Sequence, residues 1–295
     1  MAEEHHRATG PDPAGGGAET EEREEAFVLE ATRLSARLIY EVIRRDGEAE
    51  LDRPFVSLLW SGFAAGILIS LSVLGEAIFR ANLPDTSGAF LIENLGYSLG
   101  FVVVILGRMQ LFTENTITTV LPAITRRSLS CFRAMMRLWG VVLGANVLGA
   151  LLAGWFMTIP GVFSDDMTEA ITGLSRHAVG MGTWDSFIRA VPAGVLVASL
   201  VWIMPSARGN ELLVILAFTW AIAAGDFTHI IAGSVEMGFL LWRNELDLVE
   251  VLMTFFLPVL AGNVVGGTAI FTMLAWGQVK NEVRQGRGSP ADHDH

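Results

Sequence analysis

Leu111-Phe112-Thr113-Glu114-Asn115 and Asp226-Phe227-Thr228-His229-Ile230 each interrupt a long apolar run, and Glu114 and His229 stand 115 residues apart. Polar and titratable groups are costly in hydrocarbon, so two such clusters in matching places point to a pathway through a membrane. Paired interrupted segments in the two halves of a chain are also the sequence sign of a transport site. The duplication extends outward from the two breaks. Gly144-Ala145-Asn146-Val147-Leu148-Gly149-Ala150 resembles Ala261-Gly262-Asn263-Val264-Val265-Gly266-Gly267, with the asparagines 117 apart. Ala65-Gly66-Ile67-Leu68-Ile69 resembles Ala193-Gly194-Val195-Leu196-Val197, with the glycines 128 apart. Three matches in one order at similar offsets indicate an internal repeat.

Of the 295 residues, 52% are hydrophobic and 17% charged, and the mean hydropathy is +0.47. That balance suits a polytopic membrane protein rather than a soluble domain. The net charge of −11 is concentrated at one end, because residues 1–25 carry eight acids against Arg7 and Arg23. This Gly/Pro/Ala/Glu-rich stretch lacks apolar periodicity and is expected to be a disordered tail. It also lacks the basic start and apolar core of a signal peptide. A single Cys131 excludes an intrachain disulfide and a cysteine metal cluster. There is no nucleophile elbow, His-Glu-x-x-His or P-loop, so no enzyme, cofactor or metal is expected. No basic, aromatic cluster suggests nucleic-acid binding.

Residues 26–48 mix Phe27, Leu34, Leu38 and Ile39 with Glu30, Arg33, Arg37 and Arg44, a pattern for an amphipathic helix. It fits a helix lying on the membrane surface or, equally, one packed on the underside of a bundle. The channel domain is expected over 49–280, followed by a cytoplasmic tail at 281–295. Six apolar stretches are predicted as spans, at Pro54–Phe79, Leu91–Ala123, Leu138–Pro160, Ser186–Met204, Leu212–Leu241 and Val249–Trp276. As straight helices the second and fifth would run to roughly 45–50 Å, against about 30 Å of hydrocarbon. Each is therefore predicted as two half-helices joined by unwound backbone, which must be buried in protein or line a wet cavity. Arginines and lysines at 33–53, 126–133, 208 and 280–287 fall on one face, and Arg80, Arg176, Arg189 and Arg243 on the other. This places both termini in the cytoplasm. With three spans per repeat, the halves insert in opposite senses.

These motifs together resemble the formate/nitrite transporter family, over about residues 25–285. The residues that carry the likeness are Leu111-Phe112-Thr113-Glu114-Asn115 in the second span and Arg137, Trp139 and Gly144-Ala145-Asn146 in the third. Gly225-Asp226-Phe227-Thr228-His229 in the fifth and Gly262-Asn263-Val264-Val265-Gly266-Gly267 in the sixth complete it. The resemblance implies an aquaporin-like six-helix protomer in a homopentamer, set in a bacterial inner membrane among its lipids, with one pore per protomer. The implied permeants are small monovalent anions or their conjugate weak acids. It further implies that His229 is a central pore histidine, that Thr113 faces it, and that Asn146 is a pore-side polar residue. Thr228 belongs to the fifth-span loop. Phe112 and Phe227 are implied at the constrictions, with core packing an equal reading for either.

The chain departs from the family pattern at three places. Glu114 replaces the loop glycine, Arg108 stands where small or apolar residues are usual, and Asp226 adds an acid beside the fifth-span loop. Arg108 and Glu114 are read as a structural ion pair or a charge gate. Two further functions stay open on these residues: a non-conducting membrane scaffold on the same fold, and a pore for neutral or cationic solutes. Asn263 is read as an interhelical hydrogen-bonding residue, Glu236 as paired near the membrane surface, and His177 as a loop residue.

Overall fold

A computed structural model describes residues 34–84, 86 and 88–288, with side chains through Val283. The expected acidic tail at 1–25, the start of the predicted surface helix and the end of the C-terminal tail lie outside these residues. Every regular element among them is helical. In chain order these are α1 (Ala36–Leu51), α2 (Phe55–Asn82), α3 (Ala89–Leu106), α4 (Phe112–Thr118), α5 (Val120–Arg126), α6 (Leu129–Met157) and α7 (Asp165–Val179). They continue as α8 (Thr183–Ile203), α9 (Glu211–Ala224), α10 (Ile230–Trp242) and α11 (Leu248–Val283). By length and composition α2, α3, α6, α8 and α11 can each cross a membrane, while α9 and α10 are shorter apolar helices.

The N-terminal helix turns Tyr40, Ile43, Gly47 and Leu51 inward. Tyr40 and Ile43 join Ile117, Leu121, Ala198, Val279 and Val283 in one apolar cluster. A Cβ on Gly47 would lie 1.9 Å from the Thr118 carbonyl oxygen, so α1 rests directly on the α4 half-helix. Leu38 and Val42 remain exposed on the other face.

Both broken spans are present, and their breaks are built alike. The first half-helix ends in a residue of left-handed conformation, Arg108 (φ 51°) or Asp226 (φ 54°). The backbone then bonds back over the end: Met109 N–H donates to Val104 O (3.0 Å) and Phe227 N–H to Ile222 O (2.9 Å). These are the C-cap bonds that satisfy orphan carbonyls. Extended residues Leu111 and His229 then start the second half-helices. The structural register thus pairs Leu111 with His229, 118 residues apart, rather than Glu114 with His229. The sequence comparison had matched the polar residues; the break itself is set by backbone conformation.

Two asparagines clamp the breaks through the same bonds. Asn146 Oδ1 accepts from Phe112 N–H (2.9 Å), and its Nδ2 donates to Gly62 O (2.7 Å) and Gln110 O (2.8 Å). Asn263 Oδ1 accepts from Ile230 N–H (2.8 Å), and its Nδ2 donates to Ala190 O (2.9 Å) and Thr228 O (3.0 Å). Each amide can reach this far only because the facing helix comes close at a glycine. A Cβ on Gly66 would meet Asn146 O at 2.1 Å, and one on Gly194 would meet Asn263 O at 2.3 Å. Small residues at helix contacts permit such approach in membranes.

Several boundaries differ from expectation, among them the end of the last span, which α11 carries past Trp276 to Val283. The third span begins at Leu129 rather than Leu138, because the Ser128 hydroxyl accepts from Cys131 N–H (3.2 Å) and starts the helix early. The segment that holds His177 is the helix α7, not a loop. Ser164 caps it and Asp165 and Asp166 fill its first turn. Its mixed composition hid it from a hydropathy reading.

Candidate functional site

The two breaks meet through one hydrogen bond. Thr113 lies in the first turn of α4, and His229 is the N-cap of α10. His229 Nδ1 accepts from Ala232 N–H (3.3 Å), so the neutral ring carries its proton on Nε2. That N–H donates to Thr113 Oγ1 at 2.7 Å. The histidine is 2% exposed, and Phe101 stands edge-on to its ring with centroids 5.0 Å apart. Thr228 Oγ1 donates to Ser186 O at 3.0 Å. Its carbonyl is held by Asn263, which fixes the loop leading into His229.

A cavity of about 180 Å³ reaches His229 from the α7 side. Phe227 and Thr228 line it, together with Glu76 and Arg80 of α2, Glu93 and Tyr97 of the second span, His177 of α7, and Asp226, Glu236 and Phe255. The bases here are already matched to acids. Arg80 Nε lies 2.9 Å from Glu93 Oε1. Asp226 is held by Arg189 on one carboxylate oxygen and by His177 on the other, the latter at 2.8 Å. Glu76 and Glu236 have no ion pair or side-chain hydrogen bond among the described residues and are 7% and 9% exposed. The expected pairing of Glu236 is therefore absent.

The remaining sequence candidates fall elsewhere. Phe112 packs edge-on against Trp139, with centroids 5.5 Å apart, and is 2% exposed. It lies outside the cavity lining, in keeping with the core-packing reading. Asn146 is fully buried, with its amide committed to the break. Arg108 is exposed and makes no ion pair with Glu114, whose Oε1 is buried without a hydrogen-bond partner. The anticipated pair does not form: Arg108 stands exposed in the left-handed turn, and Glu114 is half-buried on the first turn of α4 with its Oε1 enclosed. Gln110, which no motif singled out, ties the break to α1: its Nε2 donates to Glu50 Oε2 (2.8 Å), and its Oε1 accepts from Asn115 (3.1 Å). Glu76 was also missed, although an acid inside an apolar span is itself a signal.

Residues 37–277 match the family model described as formate/nitrite transporter. The chain is 40% identical over 276 residues to the inner membrane protein YfdC of Escherichia coli (strain K12), covering 93% of this chain and 89% of that protein. It is 25% identical over 245 residues to the formate channel FocA of Haemophilus influenzae, covering 73% and 84% respectively. Among solved structures, a pentameric formate channel with formate bound superposes with a TM-score of 0.67 at 20% identity, covering 77% of this chain and 98% of that one. An FNT family ion channel superposes at 0.69 and 17% identity, covering 81% and 96%. These two structures share the fold described above.

Proposed function

This chain belongs to the formate/nitrite transporter family, and on that premise we propose that each protomer forms a pore for a small monovalent anion or its conjugate weak acid. It is a transport protein rather than an enzyme. The observation that carries the proposal is the Thr113–His229 hydrogen bond, which joins the two breaks beneath the cavity. A neutral imidazole at this position offers one N–H, now satisfied by Thr113, which an entering anion can take over. His229 then donates this N–H as a hydrogen bond to the anion, and the proton that neutralises the permeant comes from water in the cavity, because a neutral imidazole has no proton to give up without becoming an imidazolate. As the neutral acid, the permeant avoids the several kcal/mol cost of moving a bare charge through an apolar constriction. Phe227, half-buried at the cavity floor, is the constriction residue on that side.

The protomers are proposed to assemble as a homopentamer, by likeness to the pentameric formate channel. The name of the YfdC relative supports placement in a bacterial inner membrane, with lipid around the exposed apolar faces. The distribution of basic residues puts both termini in the cytoplasm and the cavity on the outer side. The channel domain runs over 49–280, and α1 seals its cytoplasmic face. The test is uptake into proteoliposomes of formate, nitrite, acetate, lactate and hydrosulfide at several pH values. At least one should enter faster than into protein-free liposomes, with uptake rising as pH falls toward the acid's pKa. Equal rates for all of them would overturn the proposal.

A further inference from the structure

We propose that Glu76 and Glu236 select the permeant, recognising a small carboxylate in the cavity above His229 by donating O–H hydrogen bonds to its oxygens as neutral acids. The role rests on the anion pathway proposed above. Both carboxyl residues are more than nine-tenths buried, and both line the cavity without an ion pair or hydrogen bond among the described residues. A carboxyl taken out of water with no free cation or donor beside it is stable as the protonated acid. The nearby bases give no such help, because Arg80 is matched to Glu93, and Arg189 and His177 to Asp226. Facing one space reinforces the effect, since ionising either acid raises the cost of ionising the other. Each protonated carboxyl carries an O–H donor, and neither donor has a protein acceptor among the described residues.

Such donors favour a compact oxyanion. Hydrogen bonds from a neutral acid to a carboxylate are short and roughly twice as strong as those between neutral groups. A carboxylate also offers two oxygens, one for each acid, whereas chloride presents a single sphere with no fixed acceptor directions. Tyr97 lines the same space, and its hydroxyl makes no hydrogen bond among the described residues. At about 30 Å³ per water, a volume of about 180 Å³ holds a carboxylate of a few heavy atoms with some of its water. The acids come from different elements, Glu76 from α2 and Glu236 from α10. A ligand that takes both O–H groups therefore bridges the first span and the second half of the fifth. Its next donor is the His229 Nε2–H, once that group leaves Thr113.

The experiment is thermal unfolding of the full chain in lipid nanodiscs, titrated with sodium formate at constant ionic strength and with sodium chloride as the control salt. A ligand of the folded state raises the melting temperature, relative to the unliganded protein at the same pH, with a dependence that reports its affinity. Formate should do this at mildly acidic pH and chloride should not. The affinity for formate should fall by roughly tenfold or more as rising pH ionises the two acids, which turns donors into repelling charges. Glutamine keeps an N–H donor and cannot ionise, so Glu76→Gln/Glu236→Gln should bind formate within about threefold of the unmodified protein at acidic pH and keep that affinity as pH rises. Leucine removes both donors, so Glu76→Leu/Glu236→Leu should bind roughly tenfold more weakly or worse. The other charged or titratable groups facing the site, Arg80, Glu93, Tyr97, His177, Asp226 and His229, are present in every variant. A pH dependence that survives in the glutamine variant therefore belongs to them and overturns the proposal. Absence of saturable stabilisation by formate, an equal effect of chloride, or unchanged affinity in a correctly assembled leucine variant would also overturn it. Oligomer elution and formate uptake are measured on the same samples, so a protein that transports without this recognition is told apart from one that does not transport.

Discussion

Thr113 Oγ1 accepts a 2.7 Å hydrogen bond from His229 Nε2, linking a residue of the first repeat to one of the second at the point where both spans are unwound. Thr113→Val keeps the shape but leaves the buried N–H without an acceptor. We expect a loss of about 1–3 kcal/mol in stability, read as a lower melting temperature of the detergent-solubilised protein. Thr113→Ser, which retains the hydroxyl, should recover most of it.

The asparagine clamps should behave as equivalents. Asn146→Ala strands the Phe112 N–H and two carbonyls, and Asn263→Ala strands the Ile230 N–H and two carbonyls. Each should cost on the order of 2–4 kcal/mol, since stranded buried polar groups carry their desolvation penalty. Thermal unfolding and the fraction of assembled oligomer measure both. A mild effect at one site beside a severe one at the other would argue against matched roles.

Close backbone approach makes a graded glycine series. Gly66→Ala and Gly194→Ala push a methyl onto backbone carbonyls that cannot swing aside, whereas Gly140→Ala and Gly144→Ala meet nothing within 4 Å. The first pair should lose roughly 1–3 kcal/mol or more. The second should be neutral or slightly stabilising, because alanine suits a helix better than glycine. Melting temperatures of the four variants rank them.

Since Arg108 and Glu114 form no ion pair but Arg108 remains the cation whose charge reaches Glu114, a double-mutant cycle of Arg108→Ala and Glu114→Gln should give a coupling energy of no more than about 1 kcal/mol, well short of a buried ion pair. Arg108→Gly should be tolerated or mildly stabilising by up to about 1 kcal/mol, as glycine adopts the left-handed conformation without strain. Chemical or thermal unfolding of the four corners of the cycle gives both answers.

Outside the membrane, the Glu41 carboxyl is held down from its usual 4.5 to about 2, chiefly by its hydrogen bond from Arg44. A depressed folded pKa contributes stability above pH 4.5 and loses it as pH falls through about 2. The group is largely solvent-screened, so the contribution is below about 1 kcal/mol and shrinks with salt. Glu41→Gln should remove this contribution, lowering stability at pH 7 by up to about 1 kcal/mol, leaving it nearly unchanged near pH 2 and so flattening the acid limb of the unfolding curve.

The broken spans were legible because a polar cluster inside an overlong apolar run has few structural solutions in a membrane. Asn146 and Asn263 were legible as repeat partners, since the small residues around them are duplicated too. Interhelical hydrogen bonding was legible for Asn263 and fits its bond to Ala190 O, but the clamp on the facing break was not, because sequence does not show which backbone groups an amide reaches. The relation of Arg108 to Glu114 misled for the same reason: six residues apart suggests pairing, yet a left-handed turn and the start of a new helix lie between them and no ion pair forms. α7 and Glu76 escaped notice, and His177 and Glu236 were noticed but not brought together, because Glu76, His177 and Glu236 come from three distant segments and share no motif. Hydropathy reports what a segment can cross, not what it lines.

The central claim is that a weak acid crosses past His229, and its most direct test is formate uptake by proteoliposomes holding the unmodified protein or His229→Asn. Asparagine remains a competent N-cap for α10, so the fold is kept while the imidazole is lost. The account predicts uptake well above protein-free liposomes for the unmodified protein, and a drop of roughly tenfold or more, equivalent to about 1.4 kcal/mol, for an equally well assembled His229→Asn protein. Uptake of formate and nitrite no faster than into protein-free liposomes, or undiminished by the substitution, would contradict it.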